Sequence, residues 1–310
     1  MDQRFLDPKV LASISNLELV AKTVVDGFIS GLHRSPKFGF SQEFAEYRMY
    51  SEGDDLRFVD WNVFARTERT YIKRFKGETN SRLTLLVDAS ASMAYTSHNV
   101  TKIDYARYLV ASLAYMAHQQ RDAVGIIVFD DDVREYVTPS SRSGQFRRTM
   151  AAIENASPGR RTDFAKAFFH FQSTLRSSRG MAVVVSDFYE DPELVIKTIE
   201  PLRFRGNDVV LFHILDPQEV RPKFDGPVLL IDSETGQELE TSPEYAAQEY
   251  RGKIDAHVAA LRQKAQSAGL TYHLHVTDTP LDAALREFLM IRQGRSVSYT
   301  HLTLPTNREV

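Results

Sequence analysis

The sequence lacks several features that would assign a function class at once. Its 310 residues include no cysteine, which excludes disulfides, thiolate metal sites and a cysteine nucleophile, and fits a reducing compartment. The longest apolar runs, such as 124–129 and 209–212, are far shorter than the roughly 20 residues that span a bilayer. No signal-peptide pattern follows Met1. We therefore expect a cytoplasmic protein that does not act on or in a membrane.

Excess charge and common catalytic motifs are absent too. The formal net charge is −3 at pH 7, with 43% hydrophobic and 25% charged residues, so the chain has a globular composition and no overall attraction to nucleic acid. The P-loop pattern G-x-x-x-x-G-K-[ST] and the serine-hydrolase pattern G-x-S-x-G do not occur. Any partner must therefore be recognised through local features.

Apolar segments alternate with amphipathic ones over much of the chain. The strand candidates are 83–87, 124–129, 181–186, 209–215 and 271–276. The helix candidates are 101–119, 143–156, 163–176, 191–203, 244–267 and 281–292. This alternation predicts an α/β fold with a doubly wound, mainly parallel sheet and helices on both faces.

Three regions depart from this alternation. Residues 1–80 form an amino-terminal extension, with a predicted helix over much of 8–32, a loop over 33–53, a short helix near 56–64 and a strand at 71–75. Residues 134–138 predict an antiparallel edge strand, and 217–243 predict a hairpin insertion within the main domain, 81–294. The tail 295–310 resembles translated sequencing-adapter sequence, so we expect it to be artefactual or disordered.

Hard oxygen donors follow the first predicted strand of the main domain. Asp88, Ser90 and Ser92 are spaced two residues apart after the apolar run 83–87, so one turn can bring their oxygens together. Carboxylate and hydroxyl oxygens suit Mg²⁺ or Mn²⁺ better than zinc. A helix cap and turn hydroxyls are the structural alternative for these residues.

Two distant segments supply further oxygens. Thr162 precedes a predicted helix, where it is also a good N-cap, and Asp187 follows the strand 181–186. In an open parallel sheet, ligands gather outside the carboxyl ends of the strands. The three segments are therefore expected to meet at one edge of the sheet.

The order of these residues resembles the metal-ion-dependent adhesion site of von Willebrand factor A-like domains. D-x-S-x-S, a threonine and a strand-end aspartate match it at Asp88, Ser90, Ser92, Thr162 and Asp187. An upstream block reads F-A-E-Y-R-M-Y at 44–50, G-D-D-L-R at 53–57, D-W at 60–61 and A-R at 65–66. With this block, residues 24–294 resemble domain-of-unknown-function family fifty-eight, bacterial proteins often associated with MoxR-type AAA+ ATPases.

The resemblance implies a protein-binding module rather than an enzyme. Its cofactor would be Mg²⁺ or Mn²⁺, with an open coordination position for an acidic side chain of another protein. Its partners would be a MoxR-type ATPase and a client whose assembly that ATPase assists. The upstream block offers a second partner surface, with candidate residues Arg48, Asp54, Asp55, Arg57 and Trp61.

Two other functions remain open. A magnesium-dependent phosphotransferase or phosphatase also uses a strand-end aspartate such as Asp88, although Ser90 stands where that mechanism wants a second acid. The basic stretch 66–76 includes interleaved aromatic residues and would be the contact surface of a nucleic-acid-binding protein. We expect instead that its cations form ion pairs with nearby acids. His213, His273 and His275 lie in predicted strands, and we expect packed or surface imidazoles rather than ligands.

Overall fold

The fold positions most of these residues around one central sheet. The computed structural model describes residues 6–32, 43–50, 59–67, 69–76, 82–159, 164, 168, 180–223, 226–231, 238–242 and 249–292. The strands are β1 Glu43–Met49, β2 Tyr71–Lys76, β3 Arg82–Asp88, β4 Ala123–Phe129, β5 Val133–Ser140, β6 Gly180–Ser186, β7 Asn207–Leu215, β8 Val228–Ile231, β9 Glu238–Thr241 and β10 Thr271–Val276. The helices are α1 Pro8–Leu11, α2 Leu17–Leu32, α3 Trp61–Thr67, α4 Lys102–Gln119, α5 Gln145–Asn155, α6 Pro192–Phe204, α7 Pro217–Val220, α8 Arg251–Ser267 and α9 Asp282–Arg292.

Six strands form the central sheet in the order β10, β7, β6, β3, β4, β5. Neighbouring strands are parallel except β5, which runs antiparallel to β4 at one edge. This is the predicted doubly wound, mainly parallel arrangement, and the predicted antiparallel edge strand is confirmed. Because the other five strands are parallel, their carboxyl ends lie along the same edge of the sheet.

Both faces of the sheet are covered, which explains why its strands read as continuous apolar runs. In β3, Leu85 and Val87 point into one buried cluster, while Leu86 points into a second cluster on the other face. The first cluster includes residues of α2, α4, α5 and α9, and the second includes residues of α6 and α8. The helices are thus divided between the two faces, as predicted.

The amino-terminal extension contributes to this core. Val20, Val24 and Phe28 of α2 are at most 2% exposed and belong to the same buried cluster as Leu85. The prediction of one helix over much of 8–32 was only partly right, because α1 ends at Leu11 and a new helix begins at Leu17. The side chain of Asn16 accepts a hydrogen bond from the backbone N–H of Leu19 at 2.8 Å, which caps this second start.

The prediction of a loop over 33–53 was wrong in part. Residues 43–49 form β1, which pairs antiparallel with β2 from Phe44 opposite Phe75 to Met49 opposite Tyr71. The strand depends on this pairing with a segment about 25 residues away, which local composition does not reveal. The predicted short helix lies later than expected, at Trp61–Thr67.

The remaining predictions differ in how much of them the structure describes. The hairpin insertion is confirmed by the antiparallel pairing of β8 with β9. Of the predicted helix 163–176, only Phe164 and Phe168 are described, and both are helical and 1% exposed. The tail 295–310 lies outside the described residues. In the part of the chain that the structure describes, no helix combines the length and apolarity needed to cross a membrane.

Candidate metal centre

Four neighbouring strands of the sheet each lead into a buried aspartate at the same edge. Asp88 is the last residue of β3, and Asp130, Asp187 and Asp216 directly follow β4, β6 and β7. All four aspartates are at most 4% exposed. A buried carboxylate is unfavourable unless hydrogen bonds or an opposite charge compensate it. How each aspartate is compensated therefore shows what this edge of the sheet is built to hold.

The two outer aspartates of this row are compensated by nearby protein groups. Asp216 accepts hydrogen bonds from the backbone N–H groups of Ser97 and Gln218 at 2.9 and 2.8 Å and from the Ser97 hydroxyl at 2.5 Å, and His98 Nε2 lies 3.8 Å from its Oδ2. Asp130 has the guanidinium of Arg134 3.5 Å away. These contacts tie the loops to the sheet, and they account for both carboxylates without a ligand.

Asp88 differs from its neighbours. Its Oδ1 accepts a hydrogen bond from the backbone N–H of Ser90 at 2.8 Å, and its Oδ2 accepts one from the Ser186 hydroxyl at 2.5 Å. Within the described ranges no cationic side chain contacts it. Burial, followed by the nearby charge of Asp187, raises the pKa of Asp88 to about 7 although these hydrogen bonds favour ionisation. Asp88 is thus the strand-end carboxylate that most needs a positive charge.

Two hydroxyl groups complete the candidate centre beside Asp88. The Oγ atoms of Ser90 and Ser92 are 3.0 Å apart, and these residues are 0% and 8% exposed. Adjacent oxygens around an octahedral Mg²⁺, with bonds of about 2.1 Å, are separated by about 3 Å, so the spacing fits a shared ion as well as a hydrogen bond. Each Asp88 oxygen accepts one hydrogen bond and keeps a lone pair for an ion. The donor set therefore fits Mg²⁺ or Mn²⁺.

The hydroxyl groups matter because acids and imidazoles alone do not form a site. No three histidine, aspartate or glutamate side chains are arranged to hold a metal ion anywhere in the described residues. An ion at Asp88 would therefore depend on Ser90 and Ser92 for further direct contacts.

Asp187, the second predicted carboxylate, already holds a cation. Lys102 Nζ lies 2.8 Å from Asp187 Oδ2 and 2.7 Å from Glu219 Oε1, and Lys102 is completely buried. Burial alone would lower the pKa of this ammonium, but the two carboxylates outweigh burial and raise it above its ordinary value. Lys102 is therefore charged, and the rings of Tyr95 and Tyr189 lie 5.8 and 4.9 Å from its Nζ.

The backbone after Asp187 is held in an uncommon conformation. Phe188 has a φ of 46°, in the left-handed region that bulky residues rarely adopt. Its N–H donates to the Ser186 hydroxyl at 2.9 Å, and its carbonyl oxygen accepts from His257 Nε2 at 2.9 Å. The turn is thus fixed on both sides. Backbone strain of this kind is often found at functional sites.

His213 lies beneath this turn as a packed imidazole. It is 0% exposed, its Nδ1 is 2.7 Å from the hydroxyl of Tyr272, and its ring lies edge-on to Phe188. Burial, followed by the positive groups nearby, lowers its pKa to about 3, so it is neutral at ordinary pH. His273 and His275 contact Glu287, away from Asp88. The expectation that these three histidines are packed within the protein agrees with these contacts.

The other predicted site residues are placed as follows. Thr162 lies outside the described residues, so its place in the set stays a prediction. Asp54, Asp55 and Arg57 also lie outside them, and for Arg48 only the backbone in β1 is described. Trp61 is 58% exposed at the start of α3, with its ring edge-on to Phe64.

The family model for proteins of unknown function, DUF58, matches residues 46–264, which include the upstream block from residue 46 onward and every residue of the candidate centre. The chain belongs to the DUF58 family. A similar protein is the uncharacterized protein Rv1480 of Mycobacterium tuberculosis, which is 31% identical over 235 residues, covering 74% of this chain and 73% of that protein.

Two solved structures resemble this DUF58 chain in outline. The conserved hypothetical protein BatB of Bacteroides thetaiotaomicron has 16% identity and a TM-score of 0.48, covering 69% of this chain and 98% of BatB. The VWA domain of SpRpn10 has 13% identity and a TM-score of 0.40, covering 67% and 94%. At these values the similarities do not bear on function.

Sequence reasoning missed three residues of the centre of this DUF58 chain. Ser186 donates to Asp88, and Lys102 and Glu219 compensate Asp187. The sequence did contain a signal for Lys102. A lysine at the first position of a helix is disfavoured by the partial positive charge of that helix end, so its presence there indicates another role. For Glu219 the signal was the capping-box pattern D-P-Q-E at 216–219, which the structure forms.

Proposed function

We propose that this chain is a protein-binding module that holds a divalent cation, Mg²⁺ or Mn²⁺, at Asp88, Ser90 and Ser92. Thr162 would complete the set, and Asp187, whose Oδ2 is held by Lys102, would join it directly through its other oxygen or through a water molecule. The observation that carries the proposal is the state of Asp88, a buried carboxylate near Asp187 that has no cationic contact among the described residues. A bound Mg²⁺ would supply a positive centre with room for an acidic side chain of a partner.

The chain's own residues have defined roles in this function. Ser186 and the backbone of Ser90 orient the Asp88 carboxylate through hydrogen bonds of 2.5 and 2.8 Å. Ser90 and Ser92 provide neutral oxygens, which do not cancel the charge of a cation. Tyr95 and Tyr189 are each 42% exposed next to Lys102, so their rings offer a partner an apolar contact area beside the centre.

The partner class follows from the family resemblance. We propose a MoxR-type AAA+ ATPase, and a client protein that presents an aspartate or glutamate. The same resemblance supports a non-catalytic, chaperone-like role in assembly or maturation. The cytoplasmic location also stays a prediction.

The geometry gives less support to the two alternatives. A phosphotransferase of this kind wants a second acid two residues after its nucleophilic aspartate, whereas this chain has the neutral Ser90 there, with its Oγ 3.0 Å from Ser92 Oγ. Nucleic-acid binding through the basic stretch 66–76 gains no support, since the side chains of 73–76 lie outside the described residues.

A binding experiment tests the proposal. The purified chain is immobilised and titrated with a MoxR-type ATPase from the same organism, first with Mg²⁺ and then with EDTA. We expect the unaltered chain to bind in Mg²⁺ and EDTA to abolish this binding. S90A should bind at least about tenfold more weakly, because the loss of one coordinating oxygen costs about 1.4 kcal/mol of binding free energy.

The matched control is S143A, because Ser143 is an exposed serine beyond the end of β5, at the opposite end of the sheet from Asp88. It should bind as the unaltered chain does. Equal binding in Mg²⁺ and EDTA, with S90A unaffected, would show that the contact does not use a metal.

A further inference from the structure

Lys102 occupies a position that helix formation does not explain. It is the first residue of α4, after the N-cap Thr101, where the partial positive charge of the helix end disfavours a cation. Yet its side chain is completely buried, which is rare for lysine without a partner. The reason for this lysine must therefore lie in its contacts at the edge of the sheet.

Those contacts form a cage around the ammonium group. Nζ is 2.8 Å from Asp187 Oδ2 and 2.7 Å from Glu219 Oε1, and the rings of Tyr95 and Tyr189 lie beside it. Protein sites that bind a free cation are also lined by carboxylates and aromatic rings. Here the cation is covalently part of the chain.

The cage is joined to the candidate metal centre through Asp187. Asp187 directly follows Ser186, whose hydroxyl donates to Asp88 Oδ2 at 2.5 Å, and the strands that lead to Asp88 and Asp187 are paired neighbours in the sheet. Glu219 is itself held, because its Oε2 accepts a hydrogen bond from the backbone N–H of Asp216 at 2.7 Å. The ammonium therefore has a fixed place between a rigid short helix and the second carboxylate of the centre.

We propose that Lys102 is a tethered cation that neutralises the charge of Asp187. A divalent ion at Asp88 then has only one carboxylate whose charge no protein cation compensates. This inference rests on the proposed function and concerns how strongly the same site binds its ion. Lys102 is a positioning residue, since it acts through Asp187 without touching the ion. With Asp187 neutralised, a bound ion keeps more of its positive charge for an acidic group of a partner, and the partner-free chain binds the ion weakly.

Binding of Mn²⁺ alone, measured by electron paramagnetic resonance of the free ion, tests the inference without any partner. We expect K102M to bind Mn²⁺ about tenfold more tightly than the unaltered chain, because it frees Asp187 and removes a positive charge near the site. K102R keeps the charge and should bind as weakly as the unaltered chain. K197M is the matched control, since Lys197 is an exposed lysine on α6 that pairs with Glu193.

The K102M variant leaves Asp187 and Glu219 buried without their cation, and it can fail to fold. K102M/E219Q removes one of these acids together with the ammonium, and it should fold and show a smaller gain in Mn²⁺ affinity. Circular dichroism and thermal unfolding of each variant establish that it is folded before titration.

The outcomes separate this inference from the proposed function. Weak binding by the unaltered chain and by K102R, with tighter binding by K102M and K102M/E219Q, supports both. Binding by K102M and K102M/E219Q alone supports the tethered cation and contradicts metal-dependent function of the natural chain. If folded K102M and K102M/E219Q bind Mn²⁺ no more tightly than an unaltered chain that does bind it, Lys102 is only structural, and absence of binding throughout overturns both.

Discussion

Asp88 is a carboxylate that the fold buries at a cost in stability. It has 0% exposure, lies near a second acid, and has a pKa raised to about 7. An apolar residue or an amide at the end of β3 would avoid this cost. Retaining a charged group that destabilises the metal-free fold is expected where the group has a function.

The first prediction concerns the substitution D88N. Without divalent ions, it should raise the free energy of unfolding by about 1–2 kcal/mol, because a buried charge is replaced by an amide that can still hydrogen-bond. Mg²⁺ at about 100 times its dissociation constant should stabilise the unaltered chain by about 2.7 kcal/mol, and D88N not at all. Urea unfolding with EDTA and with Mg²⁺ measures both effects.

The control is D191N. Asp191 is an exposed aspartate whose side chain caps α6, and asparagine caps a helix about as well. It should unfold like the unaltered chain and respond equally to Mg²⁺. Strong destabilisation of the EDTA-treated chain by D88N would instead indicate that Asp88 is a structural residue.

At the residue scale, sequence revealed the centre only in part. Asp88, Ser90 and Ser92 could be predicted as site residues because they are close in sequence and follow an apolar run. Asp187 could be predicted because it follows a second apolar run. For Lys102 the sequence showed only its unusual place at a helix start and not its two acidic partners, since these come from segments 85 and 117 residues away. Pairings at such separations are set by the packing of whole elements, which no local pattern encodes.

At the scale of elements, the sheet itself could be predicted and the extension could not. β3, β4, β6 and β7 are buried on both faces, so their apolar content identifies them. β1 has no such signal, with three charged residues among its seven, and exists through its pairing with β2. The edge of the sheet that carries the site was therefore predictable from the strands, whereas strand β1 was not.

A second prediction concerns the link between β10 and α9. Glu287 Oε2 lies 3.1 Å from His273 Nδ1 and 2.9 Å from His275 Nε2. Burial opposes ionisation of Glu287, but the hydrogen bonds from both histidines outweigh burial and lower its pKa to about 2, from an ordinary 4.5. This contribution to stability is complete above pH 4.5 and is lost as the pH falls from 4.5 towards 2.

E287Q should therefore reduce the free energy of unfolding at pH 7 by roughly 2 kcal/mol, and the difference from the unaltered chain should shrink below pH 4.5. Urea unfolding at pH 7, 5 and 3.5 measures this difference. E18Q is the control, because Glu18 is an exposed glutamate on α2. A difference for E287Q that is the same at each pH would show that ionisation of Glu287 does not stabilise the fold.

At the scale of the whole molecule, the extension and the main domain share one core. Phe28 of α2 is 2% exposed, and the guanidinium of Arg286 from α9 lies 5.9 Å from its ring. A helix from the start of the chain thus packs beside a helix that follows the last strand. We expect both regions to unfold together.

The third prediction tests this cooperativity with F28A. It should lower the free energy of unfolding by about 3–5 kcal/mol in a single transition, because it leaves a cavity in the shared core. L19A is the control on the same helix, since Leu19 is 51% exposed, and should change the free energy by less than about 0.5 kcal/mol. A separate early transition that appears only in F28A would show that α2 folds independently.

The arrangement of the whole sheet also explains why only one of the four buried aspartates at this edge is left for a ligand. The parallel strands deliver four aspartates to one edge, and protein groups compensate three of them, which leaves Asp88 for a ligand. The ligand class then follows from the oxygens beside it. An account of partner binding rests on that one uncompensated carboxylate.

A crystal structure of the chain grown with Mn²⁺ tests this account most directly, because anomalous scattering locates the ion independently of any partner. The account predicts one Mn²⁺ peak in direct contact with oxygens of Asp88, Ser90 and Ser92, with a coordination position left for an outside ligand. Absence of a peak at Asp88 at a saturating Mn²⁺ concentration, or an ion there enclosed entirely by the chain's own carboxylates, would contradict it.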